Sequence, residues 1–212
     1  MNGHAETGGP PSIKDLLLLA ALWMVLGFSI WFYTGALHVA PVRLFTQEIL
    51  QWLLGDVIFN VIHNPDNYLY LIVQTRIEHV FPDGTTGGLG LSTNPLIYGY
   101  GLPLLFGLSM ATPTGLWRKI LQLIAGLVAM WLVQTWGVCW EVMKNLAFAY
   151  GPESHAVVSD AGISDVAVVL FYQVGYLIIP ALAPVIIWVM FNRPYIEQLA
   201  GLVGPRRASA GD

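Results

Sequence analysis

Long uncharged apolar runs alternate with short polar segments along this 212-residue chain. About 20 apolar residues in a helix span the hydrocarbon core of a bilayer. Four runs approach or exceed that length, over residues 16–36, 95–112, 120–142 and 166–191. The pattern predicts a mainly α-helical membrane protein in which residues 1–212 form a single membrane domain with four transmembrane helices.

The first run is preceded by a Gly/Pro-rich leader, residues 1–12, which we expect to be disordered. Its length exceeds the apolar core of a signal peptide, which is about 7–15 residues, and Lys14 supplies little positive charge before it. We therefore interpret residues 16–36 as an uncleaved signal anchor.

The segment 39–94 is the one long stretch without a predicted span. Its first part, Pro41–Leu54, has the periodicity of an amphipathic helix. The apolar face of this helix comprises Val42, Phe45, Ile49, Trp52 and Leu53, and the opposite face comprises Arg43, Gln47 and Gln51. Such a helix either lies on the membrane surface or packs on its own bundle, and both arrangements fit the pattern.

Two runs rich in β-branched and aromatic residues follow, Val57–His63 and Tyr68–Ile77. Between them lies Asn64-Pro65-Asp66-Asn67, whose composition is typical of a turn. We expect a small β-hairpin here, and a loop or a further tight turn over Pro82–Gly90. Segment 39–94 is thus predicted to be an extracytoplasmic amphipathic helix plus hairpin.

Charge orients the chain in the membrane. Only 10% of residues are charged, against about 25% in soluble domains. With four spans, one side holds Lys14, Arg118, Lys119, Arg193, Arg206 and Arg207, whereas the other holds Arg43, Arg76 and Lys144. The positive-inside rule then places both termini in the cytoplasm. The net charge of −4 comes without any basic tract, so nucleic acid is not an expected partner.

The third run ends in the closest grouping of reactive side chains, Cys139, Glu141 and Lys144. At about 1.5 Å of rise per residue, Cys139 lies roughly 29 Å from Ile120 and Lys144 roughly 36 Å. Because the hydrocarbon core is about 30 Å thick, the group lies near the outer boundary. Glu141 and Lys144 share a helix face, and an interfacial ion pair is the simplest interpretation.

Catalysis would need a base beside the thiol of Cys139. The histidines His38, His63, His79 and His155 all fall on the predicted outer side, yet a free cysteine is commonly a small buried apolar residue. Candidates for a catalytic role are Cys139, Glu141 and His155, none of them within a catalytic motif. No metal-ligand spacing or phosphate loop occurs in the sequence, so neither a metal nor a cofactor is expected.

Other polar residues near the spans suggest structure or interaction. Gln134, Thr135 and Gln173 are most simply interhelical hydrogen-bonding groups. A structural or interaction cluster at the outer boundary is predicted to contain Glu141, Lys144, Asn145, Arg76 and Gln173.

Three stretches resemble a known family: NPLIYGYGLPLLFGLSMATP (Asn94–Pro113), KNL (Lys144–Leu146) and FYQVGYLIIPALAP (Phe171–Pro184). They are similar to the exosortase H-associated membrane proteins, small multi-span proteins of the bacterial inner membrane. The resemblance extends from about Leu16 to Arg193. It implies a non-catalytic accessory protein of an exosortase-type protein-sorting system, which holds or presents the exosortase or its substrate. Exosortases themselves resemble transpeptidases with an outward Cys, Arg and His, but GVCWE around Cys139 lacks their cysteine motif.

Two alternatives from other functional classes remain open at this point. One is a membrane thiol enzyme that uses Cys139 with an outward-facing histidine. The other is a small transporter or channel subunit with a pathway lined by Gln134, Thr135 and Gln173.

Overall fold

A helical bundle carries a small β-sheet at one end in this computed structural model, which describes residues 12–82 and 84–201. The predicted disorder of the leader and the basic residues Arg206 and Arg207 therefore lie outside the described residues, Ser12 excepted. In chain order the α-helices and strands are α1 (Ile13–Tyr33), α2 (Gly35–Leu54), β1 (Ile58–His63), β2 (Leu71–Val80), β3 (Thr86–Thr93), α3 (Gly101–Ala111), α4 (Leu116–Phe148), α5 (Pro152–Asp160), α6 (Asp165–Gln173) and α7 (Ile179–Leu199).

Three helices are long and apolar enough to cross a membrane, which agrees with the predicted membrane class. They are α1, α4 and the continuous helix Asp165–Leu199, in which a π-helical segment, Val174–Ile178, joins α6 to α7. A fourth span is not confirmed. The apolar run 95–112 forms a 3₁₀ turn, Pro95–Tyr98, and then α3, whose eleven residues rise only about 16 Å. Pro103 lies in the first turn of α3, where the missing N–H is tolerated, and so does not kink a longer helix.

Helix α3 is the central element of the bundle and packs on α1, α4 and α7. It approaches the backbone of α1 closely at Gly107, where a Cβ atom would lie 2.5 Å from the carbonyl oxygen of Ala20. Only glycine permits this backbone contact, which is the small-residue packing expected between helices in lipid.

A buried hydrogen-bond network joins α3, α4 and α7 at the end of the bundle that holds Leu16 and Leu199, which we call the terminal end. Trp188 Nε1 donates to Thr112 Oγ1 at 2.9 Å, and Asn192 Nδ2 donates to Gln122 Oε1 at 3.0 Å. Asn192 also has non-helical backbone angles that kink α7 two residues before Pro194. Buried amides thus bond between helices, as polar groups within a membrane bundle usually do.

Helix α2 begins at Gly35, before the predicted start at Pro41, and packs on α4 and β1. Its polar face contacts the free edge of β1 instead of water. Arg43 Nη1 donates to Val61 O at 3.0 Å, Gln47 Oε1 accepts from Val61 N at 3.3 Å, and Gln51 Nε2 donates to Ile58 O at 3.3 Å. The helix therefore satisfies backbone groups that an edge strand would otherwise leave open to pairing.

The predicted hairpin is present, but the sheet has a third strand. The strands are antiparallel in the order β1-β2-β3, and β3 lies partly in the stretch predicted as a loop. Glycines at positions 87, 88 and 90 made this segment look like a loop in the sequence. In the structure the side chains of Leu89, Leu91 and Thr93 are buried and the residues between them are exposed. Gly88 is required in this strand, because a Cβ atom there would lie 2.8 Å from Thr75 O.

The inner face of the sheet packs on the last turns of α4, around Val142 and Leu146, which defines the sheet end of the bundle. The segment between the third and fourth apolar runs contains α5, which begins with Pro152 in its first turn. His155 Nε2 on α5 lies 3.0 Å from Asp165 Oδ1 at the start of α6, a hydrogen-bonded pair that is an ion pair when the imidazole is protonated. This pair connects the two helices across the turn between them.

Candidate functional site at the sheet end

Glu141 joins three elements of the sheet end through one carboxylate oxygen. Its Oε2 accepts from the Thr93 hydroxyl at the end of β3 and from the Tyr98 hydroxyl, at 3.0 Å, at the end of the 3₁₀ turn. The Tyr98 side chain is fully buried and Glu141 is half-buried. Hydrogen bonds to a charged acceptor are stronger than neutral ones, so the carboxylate fixes α4 to both segments.

Lys144 does not pair with Glu141, contrary to the expectation from their spacing. Its Nζ lies 4.4 Å from the centroid of the Tyr172 ring on α6, a cation–π geometry. Tyr172 is stacked with Tyr176 at 5.9 Å, and Tyr176 meets Tyr98 edge-on. Within residues 12–82 and 84–201 the ion pairs are His155–Asp165 and Arg193–Glu197. The expected pair fails because hydroxyl groups hold Glu141 and an aromatic ring holds Lys144.

Three residues of the predicted polar cluster line one cavity between α4 and α6. We call it the Lys144 cavity; its volume is about 470 Å³, and it is lined by Lys144, Asn145, Phe148, Ala149, Val169, Tyr172 and Gln173. Glu141 lies one turn deeper along α4. Arg76 is elsewhere, on the exposed side of β2 with its guanidinium 5.8 Å from the Phe59 ring centroid.

Cys139 lines a different feature, an apolar groove between α2 and α4. We call it the tryptophan groove; its volume is about 430 Å³, and it is lined by Phe45, Ile49, Trp52, Leu53, Leu132, Thr135, Trp136, Cys139, Trp140 and Met143. The thiol residue is only 4% exposed, and none of the described histidines lines the groove. His155, the histidine proposed for catalysis, is bonded to Asp165 instead. The structure thus brings together no thiol–imidazole pair from Cys139 and His155.

The polar residues proposed for a pathway are separated. Gln134 is fully buried against Gly99, Thr135 donates to Trp131 O within α4 at 2.8 Å, and Gln173 lines the Lys144 cavity. Over the described residues, no group of three or more His, Cys, Asp or Glu side chains could hold a metal ion.

Sequence reasoning missed Thr93, Tyr98 and Tyr172, which complete the surroundings of Glu141 and Lys144. Thr93 lies on the strand that the glycines concealed, and Tyr98 lies in an apolar run predicted as a uniform span. An available signal was the density of tyrosines at positions 98, 100, 172 and 176 near the ends of apolar runs.

A model of the exosortase H-associated membrane proteins matches residues 10–195, which include Glu141, the Lys144 cavity and the tryptophan groove. The chain belongs to this family. The family name associates it with an exosortase system as a membrane protein, in agreement with the resemblance seen in the sequence. No curated protein and no solved structure matches the chain.

Proposed function

We propose that this family member is a non-catalytic accessory protein of a bacterial protein-sorting system in the inner membrane. It binds a membrane partner, an exosortase or its substrate, and holds or presents that partner at the sheet end. The tryptophan groove is the surface on which a spanning helix of the partner packs.

The observation that carries this proposal is the apolar exposure of α2. This helix is not among those that qualify as spans, yet Trp52 is 82% exposed, and Phe45 and Ile49 are exposed beside it. Trp136 and Leu132 of α4 continue the patch within the same groove. Exposed apolar patches mark interaction sites, and tryptophan is enriched among residues that dominate binding energy.

The proposed topology has four crossings with both termini in the cytoplasm. The stretch Gly99–Met110 lies along α4 from Gln134 to Lys119, whose Nζ donates to Met110 O at 3.1 Å. That stretch of α4 is about 22 Å long, so α3 and its preceding turn extend over most of the bilayer core. Lys14, Arg118, Lys119 and Arg193 flank the terminal end, and the positive-inside rule assigns that end to the cytoplasm.

Site-specific photocrosslinking in native membranes tests the proposed partner. A photoreactive phenylalanine analogue at Trp52 or Trp136 is expected to crosslink to an exosortase or its substrate. The same analogue at Trp117, 71% exposed at the terminal end, is the control and is expected to give no such product. Products that contain only lipid, together with purification of the chain without any sorting enzyme, would refute the proposal.

A further inference from the structure

The geometry points to a second site: the Lys144 cavity binds the phosphate of an anionic phospholipid headgroup in the leaflet at the sheet end. This inference is independent of the exosortase partner, since the cavity lies between α4 and α6 whereas the tryptophan groove lies between α2 and α4.

Lys144 is half-buried and pairs with no described carboxylate. Its amine forms no hydrogen bond or ion pair with a described residue. It lies over the face of the Tyr172 ring, in a cation–π contact. Glu141, the carboxylate on the same helix face, is occupied by Thr93 and Tyr98. These neutral hydroxyl groups leave the charge of Glu141 in place, but the half-buried amine forms no ion pair with it and can therefore pair with an anion supplied from outside the chain.

The Lys144 cavity contains other polar groups besides the amine. The side-chain amides of Asn145 and Gln173 line the same space as the amine, and neither bonds to a described residue. The cavity is thus lined by three residues whose side chains carry N–H donors. A phosphate has several acceptor oxygens and matches this donor set, as in the basic pockets between transmembrane helices that hold lipid headgroups.

The depth of Tyr172 in the membrane follows from its distance along the last helix. Tyr172 lies 21 residues before Arg193, which corresponds to about 31 Å of helix from the charged terminal end. This distance equals the thickness of the hydrocarbon core, about 30 Å. Tyr172 stacks with Tyr176, and the neighbouring Phe171 contacts Trp136 and Trp140, so aromatic side chains gather here as they do at membrane interfaces. The Lys144 amine, which lies over the Tyr172 ring, is therefore at the level of the lipid headgroups.

The surroundings of the Lys144 cavity suit a lipid better than a soluble anion. Towards the terminal end, the exposed side chains of Tyr176, Leu177 and Ile178 form an apolar surface on which acyl chains can lie. Asp165, the carboxylate at the start of α6, contacts His155 and forms no ion pair with the amine. A soluble anion would gain nothing from the apolar surface, which favours a lipid over free phosphate.

Native mass spectrometry of the full chain tests this site, with phosphatidylglycerol as the probe and phosphatidylcholine as the comparison lipid. Lys144→Gln is expected to weaken phosphatidylglycerol binding about fivefold, the usual effect of one basic residue at a membrane surface. Arg76→Gln, which removes an exposed cation from β2, is the matched control and is expected to bind as wild type. Binding to Lys144→Gln within twofold of wild type would overturn the site.

A second arm separates lipid from free anion and guards against misfolding. Inorganic phosphate at the lipid concentration is expected not to raise the melting temperature, and a rise equal to that given by phosphatidylglycerol would overturn the lipid assignment. If Lys144→Gln does not fold, Gln173→Leu replaces it, with an expected loss of about threefold from one hydrogen bond. Unchanged binding in that variant would equally count against the site.

Discussion

A single carboxylate oxygen determines much of the local order at the sheet end. Glu141 Oε2 receives two hydroxyl donors, one from the sheet and one from the turn that leads into α3. Removing a partner from a buried polar group costs more than the bond itself contributes, because the remaining group loses its hydration without replacement. Glu141 is thus better explained as a structural anchor than as a general acid or base.

A double-mutant cycle measures this anchor. Tyr98→Phe is expected to lower the free energy of unfolding by about 1.5–3 kcal/mol, the range for a hydrogen bond to a charged group. Combined with Glu141→Gln it is expected to show a coupling of about 1 kcal/mol, measured by denaturant titration in mixed micelles.

The control cycle pairs Tyr98→Phe with Glu153→Gln, a change at an exposed position on α5. These two effects are expected to add within about 0.5 kcal/mol. Equal coupling in both cycles would show that the Tyr98 hydroxyl does not act through Glu141.

At the residue scale, the sequence located the reactive side chains but not their partners. The rise per residue placed Glu141 and Lys144 at one boundary of the third run, and both are at the sheet end of α4. Spacing along one helix cannot show that a tyrosine 43 residues away donates to Glu141. Long-range partners depend on how the elements pack, which an i, i+3 relation does not contain.

At the element scale, α2 combines two functions on opposite faces. Its polar face bonds to the edge of β1, and its apolar residues Phe45, Ile49 and Trp52 remain exposed beside α4. Of the two interpretations left open by the sequence, packing on its own bundle is observed, since α2 contacts α4 and β1, and a position on the membrane surface stays a prediction. The periodicity predicts a helix correctly. It does not predict that the polar face of this helix packs on β1, because that contact depends on the position of the sheet.

The edge contact of α2 can be tested with Arg43→Met, which keeps the length of the side chain but removes the donor to Val61 O. Loss of this bond is expected to destabilise the protein by about 1–3 kcal/mol and to speed amide hydrogen exchange in β1. Arg76→Met, the same substitution on the exposed side of β2, is expected to change stability by at most about 1 kcal/mol. Similar exchange rates in β1 for both variants would contradict a capping role for Arg43.

Three elements could not be read from the pattern, each for a physical reason. Strand β3 was concealed because glycine carries no side chain to show the alternation of faces. Helix α3 is shorter than its apolar run, because a 3₁₀ turn takes up the first residues. The π-helical segment Val174–Ile178 contains Gly175, at which a Cβ atom would lie 2.6 Å from the Trp136 ring on α4, a contact between helices that the pattern along one run does not contain.

At the scale of the whole molecule, the charges and the ends of the described chain agree with one arrangement. Leu16 and Leu199 pack in one cluster with Ala111, so the first helix starts and the last helix ends at the terminal end. The described acidic residues of the sheet and of α5, Glu78, Glu153 and Asp160, lie at the sheet end. The asymmetry that the sequence showed in its loops is thus an asymmetry between the two ends of the bundle.

Cysteine labelling tests the orientation, because native Cys139 is 4% exposed and gives little background. In spheroplasts, a membrane-impermeant maleimide is expected to label Ala156→Cys on α5. Gly115→Cys, in the turn before α4 where an added Cβ meets no neighbour within 4 Å, is expected to react only after lysis. The opposite labelling pattern would place both termini outside.

The contact between α1 and α3 has a consequence for biosynthesis. Helix α3 is too short to be retained in a bilayer alone, and its glycine face fits the backbone of α1 at Ala20. Synthesis proceeds from the N-terminus, so α1 is already inserted when α3 leaves the ribosome about 70 residues later. The first helix therefore acts as the template on which α3 is accommodated. A chain that lacked α1 would lose the backbone surface on which Gly107 of its central helix packs.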